Sequence, residues 1–449
     1  MALADKPQKK TYTQEEIARI VRQNELLTKE NNYLKKLTSS KRFKFAEKIA
    51  TGYNNVFPMN THRRNAIQSV VKSTKKVASS RKRRSVKKQA KKLAAEAANY
   101  EKVIVLNSIP WDVKLKQRPH HLAAELHRLG FFVVYLEFDD MIHPFRKIKD
   151  GLVTVNNIAY LSELTNRPGL YFLTPNNMPT EYAVIKSIKD QGFQIIYDYL
   201  DEFHEDISGD LSAQMYVWDH LKSLKPVLCT ATAKRLHDQL VDHLGKNQKI
   251  VMASNAVNVE HFDYEKVHPD APADLKPILR KKHPIIGFYG ALAPWIDFDL
   301  LNNVAAAHPE WELVLLGIDY NGAAAGLEKA KNIHNLGAKN YQDLPKYAAH
   351  FDCAIIPFKQ GEIAKATSPV KLFEYMAAGL PTVCTRDLNE CKGYEYVYMA
   401  KNAQDFEDKL AQAIRDKRSS IARQTLLEQA KKNTWAARAK AIADALETN

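Results

Sequence analysis

Residues 367–381 of the chain read TSPVKLFEYMAAGLP, and this stretch decides the fold. Its residues predict one short helix with both ends marked. Ser368 can cap the N-terminus, Pro369 suits the first turn, where no N–H is needed, and Gly379 suits a left-handed stop. The first turn of such a helix presents unpaired N–H groups and the positive end of the helix dipole, which favour a bound anion.

Lys371 and Glu374 share one face of this predicted helix. Lys371 adds a full positive charge to the first turn, and Glu374, one turn further on, can accept two neighbouring ribose hydroxyls. With Thr367, Ser368 and Pro369 at the helix mouth, the pattern predicts a cradle for a nucleoside diphosphate in which Lys371 is the catalytic cation. The alternative is a surface helix with an i,i+3 ion pair between Lys371 and Glu374, and spacing alone does not decide between them.

Apolar segments flank the helix. Residues 351–358 (FDCAIIPF) precede it and residues 381–385 (PTVCT) follow it, and both have the pattern of buried strands. A strand, a loop, a helix and a second strand form a parallel α/β unit. The N-terminus of the helix then faces the carboxyl edge of the sheet, where such folds bind ligands.

The segment SPVKLFEYMAAGLPTV at residues 368–383, with NIHNLGAKNYQDLPKYAAHFDCAIIPF at residues 332–358, resembles a known family. It is similar to the donor half of family 4 retaining glycosyltransferases of GT-B architecture, nearest to the bacterial cell-surface polysaccharide branch. The resemblance spans roughly residues 101–445 and implies an α/β fold of two facing Rossmann-like domains. It implies transfer of a hexose from a nucleotide diphosphate sugar, with UDP-sugars expected, to a glycan or lipid-linked acceptor of the cell envelope. No metal and no further cofactor is expected.

Two segments of the first half carry candidate site residues. Residues 111–120 (WDVKLKQRPH) resemble a cleft segment of the same family, which suggests Trp111 and His120 as substrate contacts and Arg118 as a cation for the diphosphate. A connector that starts a helix explains this segment nearly as well.

The second segment, residues 197–202 (YDYLDE), ends a hydrophobic strand. Asp198 and Asp201 are expected at the carboxyl edge of the sheet, where they would contact acceptor hydroxyls or stabilise charge. Their spacing differs from the D-x-D metal motif of the other glycosyltransferase architecture, so we assign no metal here. A solvated loop is the alternative.

Two positions depart from the family pattern. Gly287 and Gly290 bracket the end of a strand where backbone should approach the diphosphate, but residues 291–297 (ALAPWID) lack the Arg and Lys that follow in the family. Ala366 stands where the family has the first glutamate of a pair, eight residues before Glu374. The sugar and the stereochemical outcome are therefore open. A sugar-nucleotide epimerase or hydrolase of the same fold, and a non-catalytic partner in a glycan-assembly complex, remain alternative functions.

The predicted organisation has four parts: residues 1–100 are a basic helical extension, 101–265 an acceptor domain, 266–430 a donor domain, and 431–449 a helix that crosses back to the first domain. The net charge of +15 is concentrated in the extension, whose 25 Lys and Arg and 7 Asp and Glu give +18, against −3 for the rest. A solvated tail, an anionic membrane surface and nucleic acid are the three interpretations. The membrane is favoured and nucleic acid is unlikely, because no stacking platform accompanies the charge.

Residues 13–37 have a heptad pattern that predicts either a short dimerising coiled coil or a single frayed helix. The four cysteines form no C-x-x-C pair, which argues against a disulfide framework or a zinc site. We find no run of 18 apolar residues and no signal-peptide pattern. The expected location is therefore cytoplasmic, at the inner face of the cell membrane.

Overall fold

The structure is a computed structural model that describes residues 84–113, 116–137, 145–165, 167–178, 180–266 and 270–447. The chain divides into two compact units, Met1–Ser85 and Val86–Asn449. Nearly all of the first unit, including the heptad segment at residues 13–37, lies outside the described residues. The description below therefore concerns the second unit and the start of its first helix.

The second unit contains two sheets, whose strand order shows two α/β layers. The first sheet has the order β3-β4-β2-β1-β5-β6-β7-β8 and is parallel except for the antiparallel pair β3–β4. Its strands are β1 Val103–Ser108, β2 Phe132–Glu137, β3 Phe145–Lys149, β4 Leu152–Val155, β5 Leu170–Pro175, β6 Gln194–Tyr199, β7 Leu228–Ala231 and β8 Ile250–Met252.

The second sheet is parallel throughout, with the order β11-β10-β9-β12-β13-β14. Its order reverses between β9 and β12, and ligands of such sheets bind at the carboxyl ends of the strands at that reversal. The strands are β9 Ile285–Tyr289, β10 Glu312–Leu316, β11 Ile333–Asn335, β12 Cys353–Ile356, β13 Thr382–Thr385 and β14 Val397–Ala400.

Helices pack on the faces of both sheets, which is why the strands read as apolar runs rather than as alternating patterns. The α-helices are α1 (residues 84–97), α2 Arg118–Arg128, α3 Tyr182–Asp190, α4 Glu205–Ser208, α5 Ser212–Asp219, α6 Leu221–Leu224, α7 Lys234–Leu244, α8 Val259–Phe262, α9 Lys276–Leu279, α10 Phe298–Ala307, α11 Leu344–Ala348, α12 Glu362–Ala366, α13 Val370–Ala377, α14 Ala403–Asp416, α15 Ser420–Lys431 and α16 Trp435–Glu447. Short 3₁₀ turns occupy Ile158–Glu163, Ala323–Gly326, Tyr341–Asp343 and Asn389–Cys391.

Helix α1 belongs to the first domain and not to a separate extension. Leu93 and Ala97 are fully buried in the same apolar cluster as strands β1, β2 and β5. The boundary predicted from the sequence, at residue 100, therefore lies after helix α1, which contributes to the core of the first domain.

The last helix, α16, packs on the first sheet although it follows the second in sequence. Trp435, Ile442 and Leu446 share an apolar cluster with Ile104 and Leu122. The chain therefore crosses between the two domains twice, near residues 253–262 and again near residues 431–435. Among the described residues, no helix has both the length and the apolar character required to span a bilayer.

Candidate functional site

Helix α13 presents its N-terminus beside the β9/β12 reversal of the second sheet. The helix begins at Val370, and Pro369 is its N-cap residue. The prediction that Ser368 caps the helix is wrong, because the Ser368 hydroxyl instead accepts a hydrogen bond from the backbone N–H of Asn255 at 3.1 Å. The predicted stop at Gly379 is confirmed by its φ of +60°.

The first turn of α13 offers unpaired donors. The backbone N–H groups of Val370 and Lys371 have no acceptor within the described part of the chain. The Lys371 ammonium lies 5.2 Å from the ring of Phe288 and 5.3 Å from that of Phe358. It fills the space beside Gly290, where a β-carbon would lie 3.0 Å from the Lys371 Nζ. The absent side chain at Gly290 therefore makes room for the cation.

The charges of Lys371 and Glu374 are not neutralised by each other. Within the described ranges, neither forms an ion pair within 4.0 Å. Burial lowers the pKa of Lys371 to about 8 and raises that of Glu374 to about 7, while the field of each group partly opposes the shift of the other. The alternative of a surface ion pair is contradicted. Both groups instead have a desolvation cost that a phosphate and a hydroxyl pair would relieve.

Two tyrosines that sequence reasoning missed surround the Glu374 carboxyl group. The buried Tyr289 hydroxyl is close enough to lower the pKa of Glu374, which burial raises. Tyr341 is buried, and its hydroxyl has no hydrogen-bond partner among the residues described. A phenol can donate or accept, so these groups add polar capacity beside the carboxylate. Both residues look like ordinary core aromatics in the sequence, and no local pattern marks them.

The two residues before Pro369 are held by internal hydrogen bonds. The Thr367 hydroxyl donates to the carbonyl of Ile363 at 2.6 Å, and the Ser368 carbonyl accepts from the Asn255 side-chain amide at 2.6 Å. Ser368 is 3% exposed. These two side chains shape the turn that leads into α13, and the groups still available to bind are the amides that follow them.

Arg118 and Asp198 form a buried, two-pronged ion pair in the first domain. The Arg118 Nε and Nη2 atoms each donate to one Asp198 oxygen at 3.0 Å, and both side chains are at most 5% exposed. The Arg118 Nη1 atom donates to the carbonyl of Ala253 at 2.6 Å, and the Thr230 hydroxyl also donates to Asp198. The two groups satisfy each other and tie the first domain to the crossover segment, which indicates a structural role. Their predicted roles, Arg118 as a phosphate cation and Asp198 as a contact of the acceptor, stay predictions.

His120 also has a structural role, at the start of α2. Its Nδ1 accepts from the backbone N–H of Gln117 at 3.1 Å, and its Nε2 lies 3.1 Å from the carbonyl of Pro110. Burial lowers the pKa of His120 to about 4, so the ring is neutral and can donate from Nε2. The Trp111 ring packs on His120 and on Tyr135, with centroids 5.6 and 5.0 Å apart. Trp111 is half-buried and stays a proposed substrate contact.

Asp201 follows β6 and is partly buried. One of its oxygens accepts from the Asn177 side chain at 2.9 Å. Burial is the main reason that the pKa of Asp201 is raised, and the nearby Asp198 contributes. Asp201 is not part of the lock between Arg118 and Asp198, and it stays a candidate for contact with an acceptor.

Charged side chains join the two domains across the cleft. Arg235 on α7 of the first domain binds Glu202 at 3.0 Å and also Glu362 on α12 of the second domain. The backbone N–H of Lys234, at the start of α7, donates to the Glu390 carboxylate at 2.8 Å. These contacts hold the start of α7 close to the second domain.

Two apolar contacts add to this closure. His121 on α2 stacks on Trp435 with centroids 5.0 Å apart and lies 5.5 Å from the ring of Tyr341. Ala366 is 1% exposed and packs in the apolar cluster of the first domain. The position at which the family resemblance leads us to expect a carboxylate is therefore an apolar contact between domains.

The protein-family match lies in the second domain. Residues 283–416 match the family model "Glycosyl transferases group 1". A Bacillus subtilis protein named as a teichuronic acid biosynthesis glycosyltransferase, TuaH, is 27% identical over 226 residues, or 45% of this chain. The matched region is 54% of TuaH, so the chain spans about half the length of this curated relative.

Solved structures match both domains together. Sucrose-phosphate synthase from Thermosynechococcus elongatus has a TM-score of 0.59 at 14% identity, covering 77% of this chain and 98% of that one. HepE of Anabaena, solved with UDP and glucose, has a TM-score of 0.56 at 14% identity, covering 78% of this chain and all of that one. At such identities the likeness shows the fold alone. The described part of the chain has the GT-B fold.

The Asp198→Asn variant separates a structural from a catalytic role for Asp198. It leaves the Arg118 guanidinium buried beside a neutral group, so we expect the free energy of unfolding in urea to fall by about 3–5 kcal/mol. Asp206→Asn is the control, because this carboxylate is half-exposed in the same domain and its loss should change stability by less than about 0.5 kcal/mol. Unchanged stability with lost turnover would instead restore the catalytic assignment of Asp198.

Proposed function

We propose that the chain is a glycosyltransferase that moves a hexose from a UDP-sugar to a hydroxyl of a cell-envelope glycan or lipid-linked acceptor. The observation that carries the proposal is the pair of groups at the mouth of α13, the partly buried Lys371 and the buried Glu374, which form no ion pair with each other. The group 1 match over residues 283–416, and a relative named for teichuronic acid biosynthesis, support this class of reaction. HepE, which was solved with UDP and glucose, supports the choice of donor.

Each polar group at the α13 mouth has a task in this proposal. The Lys371 ammonium and the amides of Val370 and Lys371 bind the diphosphate, and Glu374 accepts hydrogen bonds from two ribose hydroxyls. Because these donors are fixed before the reaction, they stabilise the charge that develops on the leaving diphosphate. We therefore propose that catalysis requires no metal ion.

We propose a reaction that retains the configuration of the transferred sugar. The bond between the anomeric carbon and the diphosphate oxygen breaks, and the acceptor oxygen bonds to the same face of that carbon. The acceptor proton passes to an oxygen of the leaving phosphate, so no strong protein base is needed. Asp201 and Trp111, on the first domain, are the proposed contacts of the acceptor.

The activity is tested by incubating the protein with a panel of nucleotide sugars and a membrane extract. We expect release of free nucleoside diphosphate, little effect of EDTA, and a product whose anomeric configuration by NMR equals that of the donor. Loss of activity in EDTA that magnesium or manganese restores would contradict the metal-free mechanism. Hydrolysis or epimerisation without an acceptor would support the epimerase or hydrolase, and nucleotide binding without turnover would support the non-catalytic partner.

The pH dependence of UDP binding tests the role of Lys371. A bound diphosphate favours the ammonium form, so affinity should fall as pH rises above about 8, where the free protein loses this charge. Lys371→Met should bind UDP about 10- to 100-fold more weakly at pH 7, as expected for one charge-assisted bond. The ratio of the variant Kd to the wild-type Kd should then decrease as pH rises. Because the ionisation of UDP affects both Kd values equally, it does not change this ratio.

The control for this experiment is Lys359→Met, because Lys359 is an exposed lysine that follows β12. Calorimetric titration of the control should give the wild-type Kd at every pH. Wild-type affinity in Lys371→Met at pH 7 would refute the proposed cradle.

We propose that the basic extension attaches the protein to the cytoplasmic face of the cell membrane, and that residues 13–37 dimerise it there. Anionic lipid attracts each nearby Lys or Arg by about 1 kcal/mol.

Changing Arg81, Lys82 and Arg83 to Gln in the full chain should therefore reduce sedimentation with anionic liposomes at low salt. The matched control changes three exposed lysines outside the extension to Gln: Lys392, Lys401 and Lys432. Equal sedimentation of both variants would refute the anchor, and preference for RNA over liposomes would favour nucleic acid.

A further inference from the structure

Three consecutive residues of the first crossover, Ala253, Ser254 and Asn255, are held from both domains. On the first-domain side, Arg118 donates to the carbonyl of Ala253 at 2.6 Å and lies 3.5 Å from that of Ser254. Arg438, on the last helix, donates to the same Ser254 carbonyl at 3.1 Å. Two guanidinium groups, the buried one of Arg118 and the partly buried one of Arg438, therefore fix the backbone of this segment to the first domain and to α16.

Asn255 makes the contact to the second domain. Its backbone N–H donates to the Ser368 hydroxyl at 3.1 Å, and its side-chain amide donates to the Ser368 carbonyl at 2.6 Å. Both bonds go to one residue from two directions, so they fix the orientation of Ser368 as well as its position. Ser368 stands two residues before the first helical residue of α13, and the Pro369 ring between them restricts the backbone further.

We propose that Asn255 is a positioning residue of the nucleotide site. By holding Ser368 at two points, it sets the direction of the first turn of α13, and with it the Val370 and Lys371 amides and the Lys371 ammonium. This inference rests on the proposed function, since it concerns the diphosphate cradle. It adds that the cradle is aligned from the first domain, through Asp198, Arg118 and the crossover segment.

The side chain of Asn255 can align Ser368 but contributes little to the packing of the core. The residue is only partly buried, and its neighbours in the apolar clusters, Ala253 and Val257, supply the packing there. Its Oδ1 atom is buried and has no hydrogen-bond partner in the described part of the chain. The amide nitrogen alone therefore accounts for the side-chain contact, and substitution should disturb alignment more than folding.

The test uses Asn255→Ala and Asn255→Asp in the full chain, with UDP as the probe. Asn258→Ala and Asn258→Asp are the matched controls, because Asn258 lies three residues on, is exposed and makes no side-chain cap. We expect Asn255→Ala to bind UDP about tenfold more weakly than Asn258→Ala, the loss of one hydrogen bond to an aligned group. Asn255→Asp should bind still more weakly, because its carboxylate faces the Ser368 carbonyl and a diphosphate. The thermal midpoint of Asn255→Ala should stay close to that of Asn258→Ala, because Arg118 and Arg438 still hold the crossover segment.

Hydrogen exchange of a peptide covering residues 366–374 provides a readout that does not need a ligand. We expect faster exchange in Asn255→Ala than in wild type or Asn258→Ala, because the first turn of α13 loses its anchor. Unchanged exchange together with control-like UDP affinity would overturn the inference. So would a loss of affinity that follows a lowered thermal midpoint, since that result shows a role in stability only. If wild-type protein binds no UDP while Asn255→Ala still exchanges faster, the proposed function fails and the positioning role stands.

Discussion

A lysine ammonium lies among aromatic rings, with no carboxylate at ion-pair distance in the described part of the chain, and this is the constraint on which the site depends. Moving a charge out of water costs free energy unless something compensates it. At Lys371 the neighbouring rings and Glu374 compensate only in part, because the pKa still falls to about 8. The unpaired amides of the same helix turn add positive potential. An anionic ligand would complete this set of interactions, and the β9/β12 reversal places it where parallel sheets bind ligands.

The buried pair of Arg118 and Asp198 shows the opposite case. Every donor group of Arg118 has an oxygen within reach, so the guanidinium is fully compensated in the absence of a ligand. A cation whose charge is fully compensated by protein groups stabilises the fold, whereas one whose charge is only partly compensated can still bind an anionic ligand. This difference separates the two basic residues that the sequence suggested for the diphosphate, and it supports the proposal that Lys371 is the cation of the cradle.

The features that could be predicted from the sequence are those set by residues close together in the chain. The strand–helix alternation, the Gly379 stop and the face shared by Lys371 and Glu374 all follow from neighbouring residues or fixed spacing. What it missed depends on contacts far apart in the chain. Ser368 binds Asn255 instead of capping its helix, Arg118 meets Asp198 eighty positions on, and α1 enters the core of the first domain. A single sequence holds no signal for such pairings. Taken alone, Ser368 fits a helix cap, Arg118 fits a free cation, and α1 fits part of a basic tail.

Ala366 shows how a departure from a family pattern can have a structural reason. A carboxylate at this position would be buried against the apolar cluster of the first domain, at a cost of several kcal/mol unless a cation paired with it. Alanine lets α12 approach that cluster closely. The charged contact on this helix is one turn earlier, where Glu362 meets Arg235 at the exposed rim. In this chain α12 therefore contacts the first domain by apolar packing with an ion pair at its edge, and the proposed diphosphate contacts are those of α13.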